Sequence, residues 1–331
     1  MVVIDRTLCV APMLDWTDRH CRFFHRLLAP DALLFTEMVT TGALIHGDRE
    51  RHLAFSSEEH PLALQLGGSD PVDLSACARM AQEAGYDEVN LNVGCPSDRV
   101  QRGRFGACLM LEPALVRDCI AAMQDAVDIP VTVKSRLGVD DHDSYAFFSD
   151  FIGTVAESGC RTFIVHARKA WLTGLSPKQN RDVPPLHYDR VLNLKKEHPE
   201  LEVILNGGIS TVEQVRSHLE HFDGVMLGRA AYHDPWMLAR LQGELFGRQG
   251  LSGREQAVHA MSDYLEREVA SGTPVKHVSR HMLGLFQGVP GAKRWRRYIS
   301  ENAHLDPANA RLLEEALSHL QAVQHKFMAM H

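Results

Sequence analysis

No apolar run in this sequence approaches the roughly 20 residues that a membrane-spanning helix requires. The N-terminal stretch MVVIDRTLCVAP has neither the basic start nor the apolar core of a secretory leader, so a cytoplasmic protein is expected. Seven cysteines, an odd number scattered without regular spacing, make no disulfide framework and point to reduced thiols. No GxGxxG opens the first strand-to-helix turn, which disfavours a doubly wound dinucleotide-binding sheet. A surplus of positive charge is also missing. Lys and Arg number 35 against 42 Asp and Glu, a net charge of −7 that taken whole argues against a nucleic-acid partner.

That average hides an asymmetry. Residues 254–331 carry ten basic and eight acidic side chains, whereas the remainder carries 25 and 34. A slightly basic tail on an acidic body leaves room for local phosphate-binding patches. Otherwise the composition, 45% hydrophobic and 23% charged over 331 residues, is that of a globular protein with one large and one small domain.

Eight short apolar runs recur along the first 229 residues: LCVAPM (8–13), LLFTEMV (33–39), LALQLG (62–67), EVNLNVG (88–94), VTVKSRL (131–137), TFIVHAR (162–168), EVILNGG (202–208) and GVMLGR (224–229). Helical patterns follow most of them, for example at 71–84, 112–126, 144–158 and 211–221. Strand then helix, repeated eight times over about 240 residues, predicts a (β/α)8 TIM barrel. The Gly-rich segment GRQGLSGR (247–254) then reads as a linker. Beyond it the pattern is helical, with Leu313, Leu317, Leu320 and Phe327 on one face of a last helix. The expected division is a barrel over 1–246 and an all-helical domain over 254–331.

TIM barrels place their chemistry at the C-terminal ends of the strands. Here those ends carry Pro12 and Met13, Glu37, Gln65, Asn92 with Cys95, Lys134 with Arg136, His166 with Arg168, Asn206–Gly208, and Gly228 with Arg229. Burying so many polar groups without partners would cost about 1–3 kcal/mol each, so a purely structural role fits the set poorly. The glycines after the last two strands suit a phosphate site built from backbone N–H groups, with Arg229 as a charge-assisted donor. Lys134 inside a strand needs a counter-charge, for which a reduced flavin ring is one candidate; His166 and Gln65 would stand beside it. Cys95 follows a strand end in a turn stiffened by Gly94 and Pro96, whereas Cys9, Cys21, Cys77, Cys119 and Cys160 read as buried core thiols. An ordinary thiol, titrating near ~8.5, is protonated at neutral pH and able to act as a general acid. Cys108 is a second loop thiol and a lesser candidate.

The segments APMLDWTD (11–18), LALQLGGSDP (62–71), NLNVGCPSDRVQRGRFGACLM (90–110), VKSRLGVDD (133–141), HARKAWLTGLSPKQNR (166–181), LNGGI (205–209) and DGVMLGRAAY (223–232) together resemble the tRNA-dihydrouridine synthases, the A subfamily above all. That resemblance spans nearly the whole barrel and implies reduction of D-loop uridines at tRNA positions 20 and 20a. It implies FMN as cofactor and NADPH as reductant. Pro12, Met13 and Leu14 would contact the flavin, with Gln65, Lys134 and His166 around its ring. Asn206, Gly207, Gly208, Gly228 and Arg229 would hold the FMN phosphate. Cys95 would donate the proton and Asn92 would touch the substrate nucleotide. Every uracil looks alike inside a flavin pocket, so selection among uridines falls to basic residues away from it: Lys178, Arg181, Arg294 and Arg297. Arg102, Arg104, Arg168 and Lys169 are further basic candidates around the mouth.

Three other readings compete. A dehydrogenase of free pyrimidines has no use for the basic tail around KRWRRYIS (293–300). A non-catalytic tRNA-binding barrel would not need Cys95. A metal enzyme is suggested only by the i, i+4 pair His277 and His281, which lacks a third ligand, so no metal is expected. A monomer is expected.

Overall fold

The structure is a computed structural model and describes residues 4–97, 100, 103–248, 250–305 and 309–328, with side chains as far as 325. Eight parallel strands close into a barrel in sequence order: β1 (Leu8–Val10), β2 (Leu33–Thr40), β3 (Leu62–Gly67), β4 (Glu88–Val93), β5 (Val131–Arg136), β6 (Thr162–His166), β7 (Glu202–Asn206) and β8 (Gly224–Leu227), with β8 pairing back to β1. Every expected strand is present, and the expected TIM barrel is the fold. The helices Pro71–Ala84, Pro113–Gln124, Tyr145–Ala156 and Val212–Leu219 fall within a few residues of their expected positions. Their caps explain their starts. Asp70 accepts from the N–H groups of Val72 and Asp73 ahead of Pro71, and Thr211 forms a capping box with Gln214.

Side chains alternate along the strands, apart from a register shift between Phe35 and Met38 of β2, and this divides the two faces. The outward set, such as Leu62, Leu64 and Leu66 on β3 or Val89, Leu91 and Val93 on β4, is wholly buried and apolar. Inside the barrel, Cys9, Leu33, Phe35, Ala63, Ile164, Ile204 and Met226 form one apolar cluster. The rest of the interior is polar. Arg6 pairs with Glu88 at 2.6 Å and Glu202 at 3.0 Å; Glu88 accepts from Thr132 at 2.6 Å; Thr132 accepts from Asn90 at 2.9 Å; Asn90 accepts from Gln65 at 2.8 Å; Gln65 accepts from Asn92 at 2.8 Å. This ladder runs from the N-terminal end of the barrel to its C-terminal rim.

The chain divides into two compact units, one of residues 1–15 and 32–228, the other of 16–31 and 229–331. The second unit is all-helical in its described residues. It takes in the helix Arg19–Leu28, which lies between β1 and β2 in sequence, and residues 229–246, and so is larger than the tail at 254–331. The reason lies in the partners of that helix. Phe23 stacks on Tyr264 at 4.0 Å, Arg19 pairs with Glu268, and Asp18, which caps the helix, pairs with Arg280 and His281. Leu313, Leu317 and Leu320 are buried as expected, while the side chain of Phe327 lies outside the described residues. No described helix is long and apolar enough to cross a membrane.

Candidate active site

The registers of the barrel bring the expected residues together at the C-terminal rim. Asn92 is the cross-strand partner of Lys134, Arg136 of His166, and His166 of Asn206. All four strands present these residues inward, at the rim end of the ladder and beyond the apolar cluster. Lys134 donates to Asn206 Oδ1 at 3.0 Å, and Asn206 donates in turn to the Met226 carbonyl at 2.8 Å. Burial, with the Arg136 guanidinium adding to it, pushes the Lys134 ammonium down to about 7. Burial first, and then the charges of Arg136, Lys134, Arg168 and Arg181, hold His166 well below the usual imidazole range, so its ring is neutral.

Cys95 stands beside this cluster. Asn92 Oδ1 accepts from the N–H groups of Gly94 and Cys95 at 3.1 and 3.0 Å, so the amide builds the turn that presents the thiol. Of the seven thiols, only Cys95 and Cys108 are not fully buried. Cys108 donates to the Phe105 carbonyl at 3.1 Å, and burial pushes it above the usual thiol range.

Several expected residues are engaged within the protein. Gln65 is nearly fully buried, with one end of its amide on Asn90 and the other on Asn92, which leaves one N–H and one lone pair for a ligand. Pro12 is half-buried, Met13 packs on the apolar cluster inside the barrel, and Leu14 is exposed. Lys169 pairs with Asp143 at 2.9 Å and lies 4.1 Å over the Trp171 ring, and Arg168 donates to the Pro184 carbonyl, so neither is a bare phosphate ligand. Arg104 is exposed, and Arg102 lies outside the described residues.

Gly207 and Gly208 both have left-handed backbones, at φ +114° and +71°. A Cβ on Gly208 would meet Leu186 Cδ1 at 2.5 Å. At Gly228, by contrast, a Cβ would meet only Ala11 at 4.0 Å, so protein packing does not require glycine there. Gly228 ends the first unit, and Arg229 opens the helix Arg229–His233 of the second. Among the buried polar atoms at the rim, His166 Nδ1 has no hydrogen-bond partner among the described residues. An unpartnered buried nitrogen beside a cluster of cations, with left-handed glycines next to it, suits an anionic ligand rich in hydrogen-bonding groups.

A family model described as dihydrouridine synthase (Dus) matches residues 9–322 of the chain. The chain belongs to the dihydrouridine synthase family. Proteins named tRNA-dihydrouridine(20/20a) synthase are similar over nearly their full length. One from Vibrio cholerae is 60% identical, covering 94% of this chain and 95% of its own; one from Escherichia coli K12 is 60% identical over 93% and 90%. An old yellow enzyme homologue from Zymomonas mobilis aligns with a TM-score of 0.53 over 72% of this chain and 88% of its own, at 14% identity, a likeness of fold alone.

Of the residues expected to touch RNA, Asn92 is buried at the rim with its amide engaged by Gln65, Gly94 and Cys95, and the four basic ones are exposed. Lys178 precedes and Arg181 ends the short 3-10 turn Gln179–Arg181 of the first unit; Arg294 and Arg297 lie on the helix Ala292–Asn302 of the second. Trp295, between them, is wholly buried and donates to the Met282 carbonyl at 2.9 Å, so it anchors the basic helix and does not face a ligand. His281 is also buried, against Asp18, and no group of three or more metal-ligating side chains occurs among the described residues. Two features escape a reading of strand ends. The ladder is signalled by a polar residue at every second position of β4, and the buried Asn180 inside the polar run SPKQNR carries no signal.

Proposed function

We propose that this member of the family reduces uridine to 5,6-dihydrouridine in the D-loop of tRNA, at positions 20 and 20a, with FMN as cofactor and NADPH as reductant. The observation that supports it most is the half-buried Cys95 thiol, held by Asn92 at the same rim as Lys134, His166 and Asn206. Reduced FMN would supply the hydride to C6 of the uracil. The chain's own groups do the rest. Lys134 places positive charge where a reduced flavin ring carries negative charge. His166 Nδ1 is available to hydrogen-bond the cofactor, and the backbone N–H groups of Gly207, Gly208 and Gly228 are assigned to its phosphate. Cys95 delivers the proton to C5. The uracil leaves its stack to reach the thiol, as enzymes acting on a base require.

Three experiments bear on this reading. The purified protein is expected to be yellow, with FMN released on denaturation; a protein that stays colourless and does not take up FMN would overturn it. Lys134→Met removes the cation beside the ring, so the flavin midpoint potential is expected to fall by some tens of millivolts, at about 30 mV per 1.4 kcal/mol for two electrons. An unchanged potential with FMN bound would remove Lys134 from the ring edge.

The third concerns the basic helix. Arg297 already pairs with Glu301 at 2.7 Å, but both are more than half exposed, so the pair is weak and easily exchanged for a phosphate. Replacing Arg294 and Arg297 together by Ala is expected to flatten the salt dependence of tRNA binding by about 0.7–0.9 for each phosphate no longer neutralised. Cations held against phosphates orient an RNA without reading its sequence. The loss of modification at the target should therefore persist at saturating enzyme, or modification should move to another uridine. Full rescue by more enzyme with an unchanged pattern would reduce both residues to contributors of affinity.

A further inference from the structure

Arg136 is an inward-facing cation, 5% exposed, and pairs with no carboxylate among the described residues. Its guanidinium is spent on three backbone carbonyls: Gly94 at 2.8 Å, Lys169 at 3.0 Å and Asn180 at 3.1 Å. The first of these is the carbonyl of the peptide that joins Gly94 to Cys95. The N–H of that same peptide donates to Asn92 at 3.0 Å. The peptide plane is thus held at both edges, and the direction in which Cys95 leaves it is fixed.

The other two carbonyls belong to the loop after β6. Asn180 is fully buried and closes that loop: it accepts from the Trp171 N–H at 2.7 Å and donates to the Trp171 and Leu175 carbonyls at 2.9 and 3.2 Å. It lies two residues after the exposed Lys178 and directly before the exposed Arg181. One guanidinium therefore ties the peptide that carries the proton donor to the loop that carries two of the proposed RNA-binding residues. We infer that Arg136, with Asn180 as its anchor, is a positioning residue that sets the Cys95 thiol relative to the RNA-binding loop. This rests on the reading of Cys95 as the acid. Lysine cannot replace the guanidinium, because a single ammonium does not reproduce a rigid fork directed at carbonyls on two loops.

The test is a double-mutant cycle with Cys95, measured as kcat for dihydrouridine formation on unmodified tRNA at saturating substrate. A displacement near 1 Å costs on the order of 10²-fold, so Arg136→Lys is expected to lower kcat by about that factor in the Cys95 enzyme and to have almost no effect in Cys95→Ala. A readout independent of turnover is alkylation of Cys95 by iodoacetamide in a Cys108→Ser background, whose rate should change several-fold with Arg136→Lys. Asn180→Ala leaves Arg136 in place and covers the case in which Arg136→Lys fails to fold. It should lower kcat with Cys95 present and do nothing in Cys95→Ala. Equal losses in both backgrounds, or wild-type kcat and alkylation in the variants, would overturn the inference. If Cys95→Ala itself is fully active, the acid assignment fails instead, and the two failures are told apart.

Discussion

Cys95→Ala is expected to form dihydrouridine 10²–10⁴-fold more slowly, about what a positioned general acid contributes, while flavin content and NADPH oxidation persist. The choice of thiol follows from burial and hydrogen bonding. Cys9, Cys21, Cys77, Cys119 and Cys160 are buried, and burial raises Cys77, Cys119 and Cys160 to about 11, 12 and 12. Cys108 already donates to a backbone carbonyl, and delivering its proton elsewhere would cost that bond. Among the described residues, the Cys95 thiol meets Ser97 Oγ at 3.6 Å, a long and weak hydrogen bond, and its backbone is fixed by Asn92 and Arg136. Its proton is thus available while its position is not free to wander. The measurement is single-turnover reduction of tRNA by pre-reduced enzyme, which separates this step from flavin reduction. Cys108→Ala should be close to wild type there. A slow Cys108→Ala beside a normal Cys95→Ala would mean that the other thiol is the acid.

How much of this is legible in the sequence depends on the range of the interaction concerned. The strands are legible because β-branched runs such as VTVKSR and TFIVH are bounded by turn residues and followed by helical patterns, all local signals. The rim is legible for a related reason: in a barrel of known direction, strand ends must converge, so Lys134, His166 and Asn206 can be grouped without coordinates. Long-range pairings leave no such trace. Nothing near Arg19–Leu28 says that Phe23 stacks on Tyr264, far along the chain, so position in the sequence alone assigns that helix to the barrel. Trp295 reads as part of a basic face because the charges around it are local, whereas its burial depends on Met282 and Phe286. Asn180 stands among residues that are exposed on either side, and only the fold shows that it closes a loop.

Arg6→Ala is expected to destabilise the protein by about 3–5 kcal/mol, the usual result of leaving a buried charge without its partner. Arg6 is 7% exposed and binds Glu88 through both Nε and Nη2, at 2.9 and 2.6 Å, while Glu88 is fully buried with Thr132 as its other hydrogen-bond partner. Glu202, about a third exposed, can return to water, so the loss falls on Glu88. The pH dependence identifies the cause. Burial raises Glu88 above the usual carboxylate range even with Arg6 opposing it, and removing Arg6 raises it further. Between the unfolded value, near ~4.3, and that raised value the folded state holds the extra proton, so stability falls as pH rises through the window. The deficit of Arg6→Ala relative to wild type should therefore widen from pH 5 to pH 8, read as urea midpoints at each pH. Arg6→Met combined with Glu88→Leu removes both charges and should recover most of the loss, since buried pairs are often replaceable by apolar side chains. The ladder adds a consequence at the rim. Thr132, Asn90 and Gln65 link Glu88 to Asn92, which holds the Cys95 turn. The double variant, stable but with Thr132 deprived of its acceptor, should show a lower kcat than its stability alone predicts. A constant deficit across pH, or an unstable double variant, would mean that Arg6 acts through packing and not through its charge.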